Sequence, residues 1–189
     1  VPESYLEEPR SILKGSKNSI LALPQSTKEV STIVNFCRAT GVGIIPYSGG
    51  TGLVGGQVNP TDDPVVILST SKMNKIRKIY PDERVVIVDS GVILDDLQKA
   101  VEEDDLFFPL SLASQGSCRI GGNLATNAGG VQVLKYGNIR DLCLGIEAVL
   151  PNGEVFNGLK RLRKDNTGYD IKNLLIGSEG TLGLITGAS

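Results

Sequence analysis

The stretch PYSGGTGLVGG, residues Pro46–Gly56, decides the fold, because small residues occupy almost every position in it. An apolar run of strand length, Val42–Ile45, precedes it and predicts a buried strand that ends in this loop. A loop without Cβ atoms can bring its backbone close to a bulky group, and successive N–H groups in a turn form a concavity that binds anions. On this stretch alone, a phosphate-binding loop and an ordinary glycine-rich surface turn fit equally well.

Two familiar nucleotide motifs are excluded by the residues after the loop. Residues Gly50–Gly55 match G-x-G-x-x-G, but a dinucleotide-binding fingerprint needs a helix that begins at those glycines. Here the chain enters turn-forming residues with two prolines, Pro60 and Pro64, which prevent a helix. No acid that could bind a ribose lies about 20 residues further on, and no Walker A lysine follows the glycines.

The composition predicts a globular protein of one sizeable domain with room for two lobes. The chain has 189 residues, of which 40% are hydrophobic and 21% charged. Its net charge of −2 argues against a nucleic-acid partner, and no apolar run is long enough to span a membrane. Nothing at its beginning predicts a secretory signal.

The cysteines and the absence of histidine limit the chemistry of this chain. Cys37, Cys118 and Cys143 show no C-x-x-C spacing and are expected to be free thiols in a reducing compartment, the cytoplasm or, in a eukaryote, the mitochondrial matrix. Without histidine, the usual proton shuttle and the commonest metal ligand are missing. Any acid–base or metal chemistry would therefore rest on other residues or on polypeptide outside this chain. In this chain we expect no catalytic residue and no metal site.

The first 72 residues predict a parallel βαβ unit. A strand at Ser19–Leu23 is followed by a helix with a capping box at Ser26 and Glu29, and then by the strand Val42–Pro46. A further buried strand is predicted at Val65–Leu68. The glycine loop then lies at the carboxyl end of a parallel strand, where open α/β sheets bind ligands.

The remaining residues predict mainly antiparallel structure. Strands Ile76–Tyr80 and Val85–Val88 form one pair. Leu142–Leu150 and Val155–Phe156 form another, joined by an Asn-Gly dipeptide that favours a type I′ turn. A helix carrying Leu94, Leu97 and Val101, a short helix near Asp170–Leu175 and a strand at Leu184–Thr186 complete the predicted elements.

Two more stretches of small residues, Gln115–Gly130 and Gly177–Gly183, follow the first loop. The composition of the longer one suits a close-packed turn and a short helix that lie against a flat ligand. Its Asn and Thr side chains can form directed hydrogen bonds to polar edges. A tight core crossing is the alternative, but two such stretches in one small chain favour a ligand site.

Five motifs together resemble one known family and cover nearly the whole chain. They are SGGTGLVGG (48–56), GSCRIGGN (116–123), TNAGG (126–130), RKDNTGYD (163–170) and GSEGTLG (177–183). In this order they resemble the PCMH-type FAD-binding domain of the vanillyl-alcohol oxidase/p-cresol methylhydroxylase superfamily. Within it they are most similar to the D-2-hydroxyacid dehydrogenases of the FAD-linked oxidase family, which include D-2-hydroxyglutarate and D-lactate dehydrogenases.

The resemblance implies an α+β fold of two lobes with FAD between them. A small parallel βαβ lobe would occupy about residues 1–72, and a larger, mainly antiparallel lobe with helices would occupy about residues 73–189. Family members also have a substrate domain after this one, which is absent from this chain. The chain is therefore expected to be a cofactor domain that shows little or no turnover alone.

The resemblance also implies which residues contact the cofactor. Pro46 and the backbone of the first loop would bind the pyrophosphate, at Ser48, Gly49, Gly50, Thr51 and Gly52. The second stretch would lie along the flavin and ribityl chain, at Gly116, Ser117, Gly121, Gly122, Asn123, Thr126, Asn127 and Gly130, with Pro109 at the edge. Glu179, Gly180 and Ile185 would lie near the adenosine end.

Two features of the sequence refine this picture. The hydroxyacid branch commonly shows Gly-Gly-Asn-Thr-Gly in the first loop, whereas here Ser48 and Gly50 replace the first Gly and the Asn. The Ser48 hydroxyl can reach a phosphate oxygen, so the departure affects the choice of branch rather than FAD binding. Some family members attach the flavin through histidine, and without histidine we predict non-covalent FAD.

The implied activity is that of an FAD-dependent oxidoreductase acting on CH–OH groups. Hydride would pass from C2 of a D-2-hydroxy acid to flavin N5, and the electrons would leave to an electron-transfer flavoprotein, a quinone or a cytochrome. The missing domain would bind the hydroxy acid and, in the most similar branch, a divalent metal such as zinc. The resemblance also allows a homodimer.

Two alternatives stay open on the sequence. Similar FAD domains occur in a cell-wall enolpyruvyl reductase and in molybdenum hydroxylases, although the motif at Lys164–Asp170 favours the hydroxyacid branch. A non-catalytic nucleotide-binding module is the other alternative, and it predicts that ADP binds as tightly as FAD.

Overall fold

A parallel and an antiparallel β-sheet form the frame of the protein, and the computed structural model describes residues 1–189. The parallel sheet contains β1 (Ser19–Ala22), β2 (Gly43–Tyr47) and β3 (Val65–Ser69) in the order β1-β3-β2. Helix α1 (Thr27–Thr40) connects β1 to β2. The glycine loop therefore begins at the carboxyl end of a parallel strand, as predicted.

Helix α1 begins and ends where its sequence predicts. The Ser26 hydroxyl accepts a hydrogen bond from the N–H of Glu29, and Gly41 ends the helix in a left-handed conformation (φ 71°). The predicted capping box is only half present, because the Glu29 carboxylate accepts from the N–H of Gln25 and not from that of Ser26. One face of α1 buries Val30 and packs against the parallel sheet.

The antiparallel sheet has the strand order β4-β5-β8-β6-β7. Its strands are β4 (Ile76–Tyr80), β5 (Val85–Asp89), β6 (Ile146–Val149), β7 (Val155–Asn157) and β8 (Leu184–Ala188). The helices are α2 (Leu94–Glu102), α3 (Ile120–Ala125), α4 (Val133–Tyr136), α5 (Ile139–Leu142) and α6 (Ile171–Leu175). The longest helix of the fold is α1, and none of the helices reaches the length and apolarity of a membrane span.

The hairpin between β6 and β7 differs from the prediction. Leu142 ends α5, so the strand is shorter than predicted. The turn is not type I′, because only Gly153 has a positive φ (84°) and Asn152 does not. Proline at position 151 fixes a negative φ, and the N–H of Gly153 donates to Leu150 O, which gives a type I-like turn followed by a left-handed glycine.

The two sheets share part of their hydrophobic core. Val149 from β6 and Leu184 from β8 pack in the same buried cluster as Val30, Val66 and Leu68 of the parallel layer. A larger cluster lies between the antiparallel sheet and helices α2 and α3. The parallel sheet uses residues 19–69 and the antiparallel sheet residues 76–188, while the boundary near residue 72 stays a prediction.

We expect the native protein to resist thiol reagents. All three cysteines are free and buried, and burial raises the pKa of the Cys37 thiol and raises that of Cys143 to about 11. In a titration with Ellman's reagent at pH 8, no thiol should react quickly before urea is added, and all three should react afterwards. A fast-reacting thiol in the folded protein would contradict this expectation.

Candidate functional site

A cleft of about 450 Å³ lies between the two sheets, and all three small-residue stretches line it. It contains most of the predicted cofactor contacts: Pro46, Ser48, Gly50, Thr51, Gly52, Gly121, Gly122, Asn123, Thr126, Glu179, Gly180 and Ile185. These residues come from β2, α3 and β8 and the loops beside them. The fold thus brings together segments that are more than 100 positions apart in the sequence.

Six predicted contacts do not line this cleft, namely Gly49, Pro109, Gly116, Ser117, Asn127 and Gly130. Gly49 and Ser117 instead pack on each other behind it, since a Cβ added to Gly49 would lie 2.9 Å from Ser117 O. Gly130 packs against the backbone of Ser111. Pro109 lines a separate cleft together with Arg140.

The structure adds cleft residues that the motifs did not indicate. Thr70 and Leu112 are the clearest cases, because neither belongs to a small-residue stretch: Thr70 is 14 positions after the first, and Leu112 is three positions before the second. Tyr47, which lies inside the stretch Pro46–Gly56, and Gln57, directly after it, also line the cleft. Their position in or beside the first loop is the only sequence signal for Tyr47 and Gln57. No local signal marks Thr70 or Leu112 as a cleft residue.

The first loop carries a row of free backbone donors. None of the N–H groups of residues 49–57 donates a hydrogen bond within the chain. No charged side chain occurs between Pro46 and Val58, and Glu179 is the only charged residue that lines the cleft. An anion bound here would therefore depend on backbone N–H groups, which is the chemistry of a phosphate-binding turn.

In the other two stretches, many of the backbone N–H groups donate hydrogen bonds within the chain. At the start of α3, the N–H of Gly121 donates to Ser90 O (2.7 Å) and that of Gly122 to Ser48 Oγ (3.0 Å). In the third stretch, the N–H of Glu179 donates to Ala125 O (2.8 Å). The three glycine-rich segments are therefore not equivalent, and only the first offers free donors in a continuous row.

Several positions require glycine because the loops pack closely on one another. A Cβ on Gly122 would lie 2.6 Å from Ser48 O, and one on Gly180 would lie 2.6 Å from Pro46 Cγ. Real Cβ contacts do not occur at these distances. The interpretation that small residues only make room for a ligand is thus incomplete, since a tight crossing of segments accounts for part of the pattern.

The residues fit a long nucleotide cofactor. The free N–H row suits a pyrophosphate. The Glu179 carboxylate can accept hydrogen bonds from hydroxyl groups such as those of a ribose. Apolar side chains of Leu112, Leu184 and Ile185 offer contact area for flat rings. A parallel and an antiparallel lobe with such a cleft between them define a nucleotide-cofactor-binding α+β domain.

The chain belongs to the FAD binding domain family, which residues 19–158 match. This membership confirms FAD as the cofactor and confirms the resemblance stated from the motifs. The solved structure of alkyldihydroxyacetonephosphate synthase has the same fold, with a TM-score of 0.78 and 30% identity over 89% of this chain and 30% of that chain.

Curated relatives are similar to the chain over most of its length. It is 46% identical over 172 residues to the mitochondrial D-2-hydroxyglutarate dehydrogenase of Rattus norvegicus, which covers 91% of this chain and 32% of that protein. It is 44% identical over 170 residues to a putative mitochondrial D-lactate dehydrogenase of Schizosaccharomyces pombe, with 90% and 32% covered. The chain thus spans 32% of the length of these two relatives.

Proposed function

We propose that this chain is the FAD-binding part of an oxidoreductase that acts on the CH–OH group of a D-2-hydroxy acid, such as D-2-hydroxyglutarate or D-lactate. The names of the curated relatives support this substrate class. One structural observation carries the cofactor part, namely the row of free N–H groups at residues 49–57, most of which line the cleft. When bound, FAD supplies the hydride acceptor.

We assign roles to the residues of the chain as follows. The N–H groups of Gly50, Thr51 and Gly52 donate to the pyrophosphate, and Glu179 accepts from a ribose hydroxyl. Helix α3 supports the flavin through its glycine face, where Asn123 is only 4% exposed and is fixed against Cys118. Of the predicted contacts off the cleft, Gly49 and Ser117 support the first loop by packing on each other.

The substrate, the acceptor and the compartment belong to the whole protein. We propose that the hydroxy acid is bound by polypeptide outside this chain and that electrons leave to an electron-transfer flavoprotein, a quinone or a cytochrome. The names of the relatives favour the mitochondrion. A longer polypeptide should reduce its FAD with the D enantiomers of these acids, and not with the L enantiomers.

The binding experiment titrates the purified chain with FAD, ADP and riboflavin. FAD should bind more tightly than ADP, because its flavin adds contacts along α3, and acid precipitation should release all of the flavin into solution. If ADP binds as tightly as FAD, the alternative of a plain nucleotide-binding module is supported instead. If none of the ligands binds, the proposed function is wrong.

A matched pair of glycine variants tests the role of the first loop. A Cβ at Gly52 would make only an ordinary contact with Gln57 Oε1 (3.7 Å), and Gly52 has no positive φ, so Gly52→Val should fold as the parent does. FAD and ADP should both bind about tenfold more weakly or worse, because the side chain blocks approach to the free N–H groups. Gly116→Val is the control, since a Cβ there meets nothing within 4 Å and the residue lies off the cleft. Equal affinities in the two variants would contradict the assigned phosphate loop.

A further inference from the structure

The N-terminal segment Glu3–Ser16, called here the strap, lies across the first glycine loop. The ring of Tyr5 packs on the ring of Tyr47, with centroids 4.6 Å apart, and Tyr47 Oη donates to Ser4 O (3.1 Å). The Tyr47 hydroxyl in turn fills the space beside Gly50, where no Cβ could be placed. The strap therefore fixes the tyrosine that packs beside Gly50, one of the residues with a free N–H group.

The strap also contacts the far end of the loop. The Leu13 side chain fills the space beside Gly55, which has a positive φ (77°). Further on, the N–H of Ser16 donates to Asn59 O (2.8 Å), and Asn59 is buried. Both ends of the loop are thus held by residues that precede the first strand.

A buried carboxylate shapes the strap. Glu8 is 3% exposed, and its two oxygens accept from the N–H groups of Arg10 (2.8 Å), Ile12 (2.6 Å) and Leu13 (3.3 Å). The hydrogen bond from the Arg10 N–H is the main cause that lowers the pKa of Glu8, followed by the other two bonds, while burial opposes them. The carboxylate closes the turn that brings Leu13 back to the loop, and the assigned FAD contacts do not use it.

The loop has little internal support of its own. Gln57 Nε2 donates to Gly52 O (2.8 Å), and the N–H of Val58 donates to Gly55 O (3.2 Å). Glycine-rich backbone loses more conformational entropy on ordering than any other backbone, so a binding-competent loop needs support from outside. A ligand that binds one loop conformation loses affinity in proportion to the fraction of molecules that hold it.

We propose that the strap holds the first loop in the conformation that presents its free N–H groups, and that Glu8 is the positioning residue of this device. The inference rests on the proposed function, because it concerns the same phosphate-binding loop. It predicts that the affinity for every ligand with a pyrophosphate depends on a carboxylate that never touches that ligand.

The test compares Glu8→Ala with Glu7→Ala, the neighbouring acid, whose ion pair with Lys14 lies at the surface. Glu8→Ala should weaken FAD and ADP binding by the same factor, about tenfold or more, whereas Glu7→Ala should leave both affinities unchanged. Without ligand, thermolysin should cut the Glu8→Ala protein faster at the exposed Leu53 and Val54. The far-UV spectrum and the urea midpoint of the remaining domain should stay near those of the parent.

Leu13→Ala provides a second variant that keeps Glu8 and should show the same two effects more weakly. If the parent binds FAD and both strap variants bind it equally well with unchanged thermolysin cleavage, the inference is wrong while the proposed function stands. If the parent binds neither FAD nor ADP, the proposed function fails first, and the cleavage rates still decide whether the strap orders the loop.

Discussion

Gly122→Ala is expected to lower the free energy of unfolding by about 2–3 kcal/mol and to remove measurable FAD binding. Overpacking of a tight contact costs about 1–3 kcal/mol, and a hydrogen bond is lost as well. The new Cβ would lie 2.6 Å from the backbone oxygen of Ser48. This clash is removed only if α3 and the first loop move apart, and that movement breaks the hydrogen bond from the Gly122 N–H to Ser48 Oγ.

The loop cannot easily yield, because it is held from several sides. Ser48 Oγ also lies 3.3 Å from Thr70 Oγ1, and Gly49 packs against Ser117 O. Urea unfolding followed by circular dichroism measures the stability, and flavin fluorescence measures binding. Gly116→Ala is the control, because its Cβ meets open space. A Gly122→Ala protein with the parent midpoint would show that the two segments are not in contact as described.

Arg77→Ala is expected to destabilise the fold by about 3 kcal/mol or more, the usual cost of leaving buried carboxylates without their cation. Arg77 Nε contacts Asp89 (2.6 Å) and Arg77 Nη2 contacts Glu147 (2.7 Å), and the two carboxylate side chains are 9% and 12% exposed. Glu147 also accepts from Thr27 Oγ1 (2.7 Å), at the first residue of α1, and from Thr186 Oγ1 (3.0 Å). This network joins four strands of one sheet to the helix of the other lobe.

The same network predicts how stability depends on pH. Burial alone would raise the pKa of Glu147, but the hydrogen bonds from Arg77 and Thr27 and the charge of Arg77 outweigh it and hold the pKa below its ordinary 4.5. The ionised form is thus favoured in the folded state. Its contribution is complete above pH 4.5 and disappears as the pH falls through the lowered pKa.

Urea unfolding at pH 7 and near pH 3 should therefore show a smaller difference between parent and Arg77→Ala at the lower pH. Lys99→Ala is the matched control, because it removes an exposed ion pair with Asp95 and should change stability by less than about 1 kcal/mol at either pH. An Arg77→Ala difference that is small at pH 7, or that grows on acidification, would contradict the role assigned to the network.

The sequence alone predicted the features that depend on neighbouring residues. Ser26 caps α1 and Gly41 ends it, because a hydroxyl before a helix and a residue without Cβ after it act over three or four positions. The β4–β5 pair and the glycine loop after β2 follow from equally local patterns. The type I′ turn was wrong because the Asn-Gly pair was considered without Pro151, whose φ suits the second position of a type I turn, so that the turn begins one residue earlier, at Leu150.

The motifs, taken together, also identified the family, since their order along the chain is specific even though each is weak alone. That evidence could not tell which glycines face a ligand and which face protein. A Cβ on Gly52 would make only an ordinary contact with Gln57 Oε1 (3.7 Å), whereas one on Gly122 would lie 2.6 Å from Ser48 O, although both glycines belong to similar small-residue stretches.

Only the tertiary structure decided that the three stretches form one cleft, that Thr70 and Leu112 belong to it, and that the first stretch alone keeps a row of free N–H groups. Each of these facts depends on the strand orders β1-β3-β2 and β4-β5-β8-β6-β7. Those orders bring together residues that are distant in the chain, and a backbone donor is free or bonded according to which distant segment packs beside it. A local sequence pattern does not include that distant segment, so the cleft cannot be predicted before the two sheets are assembled.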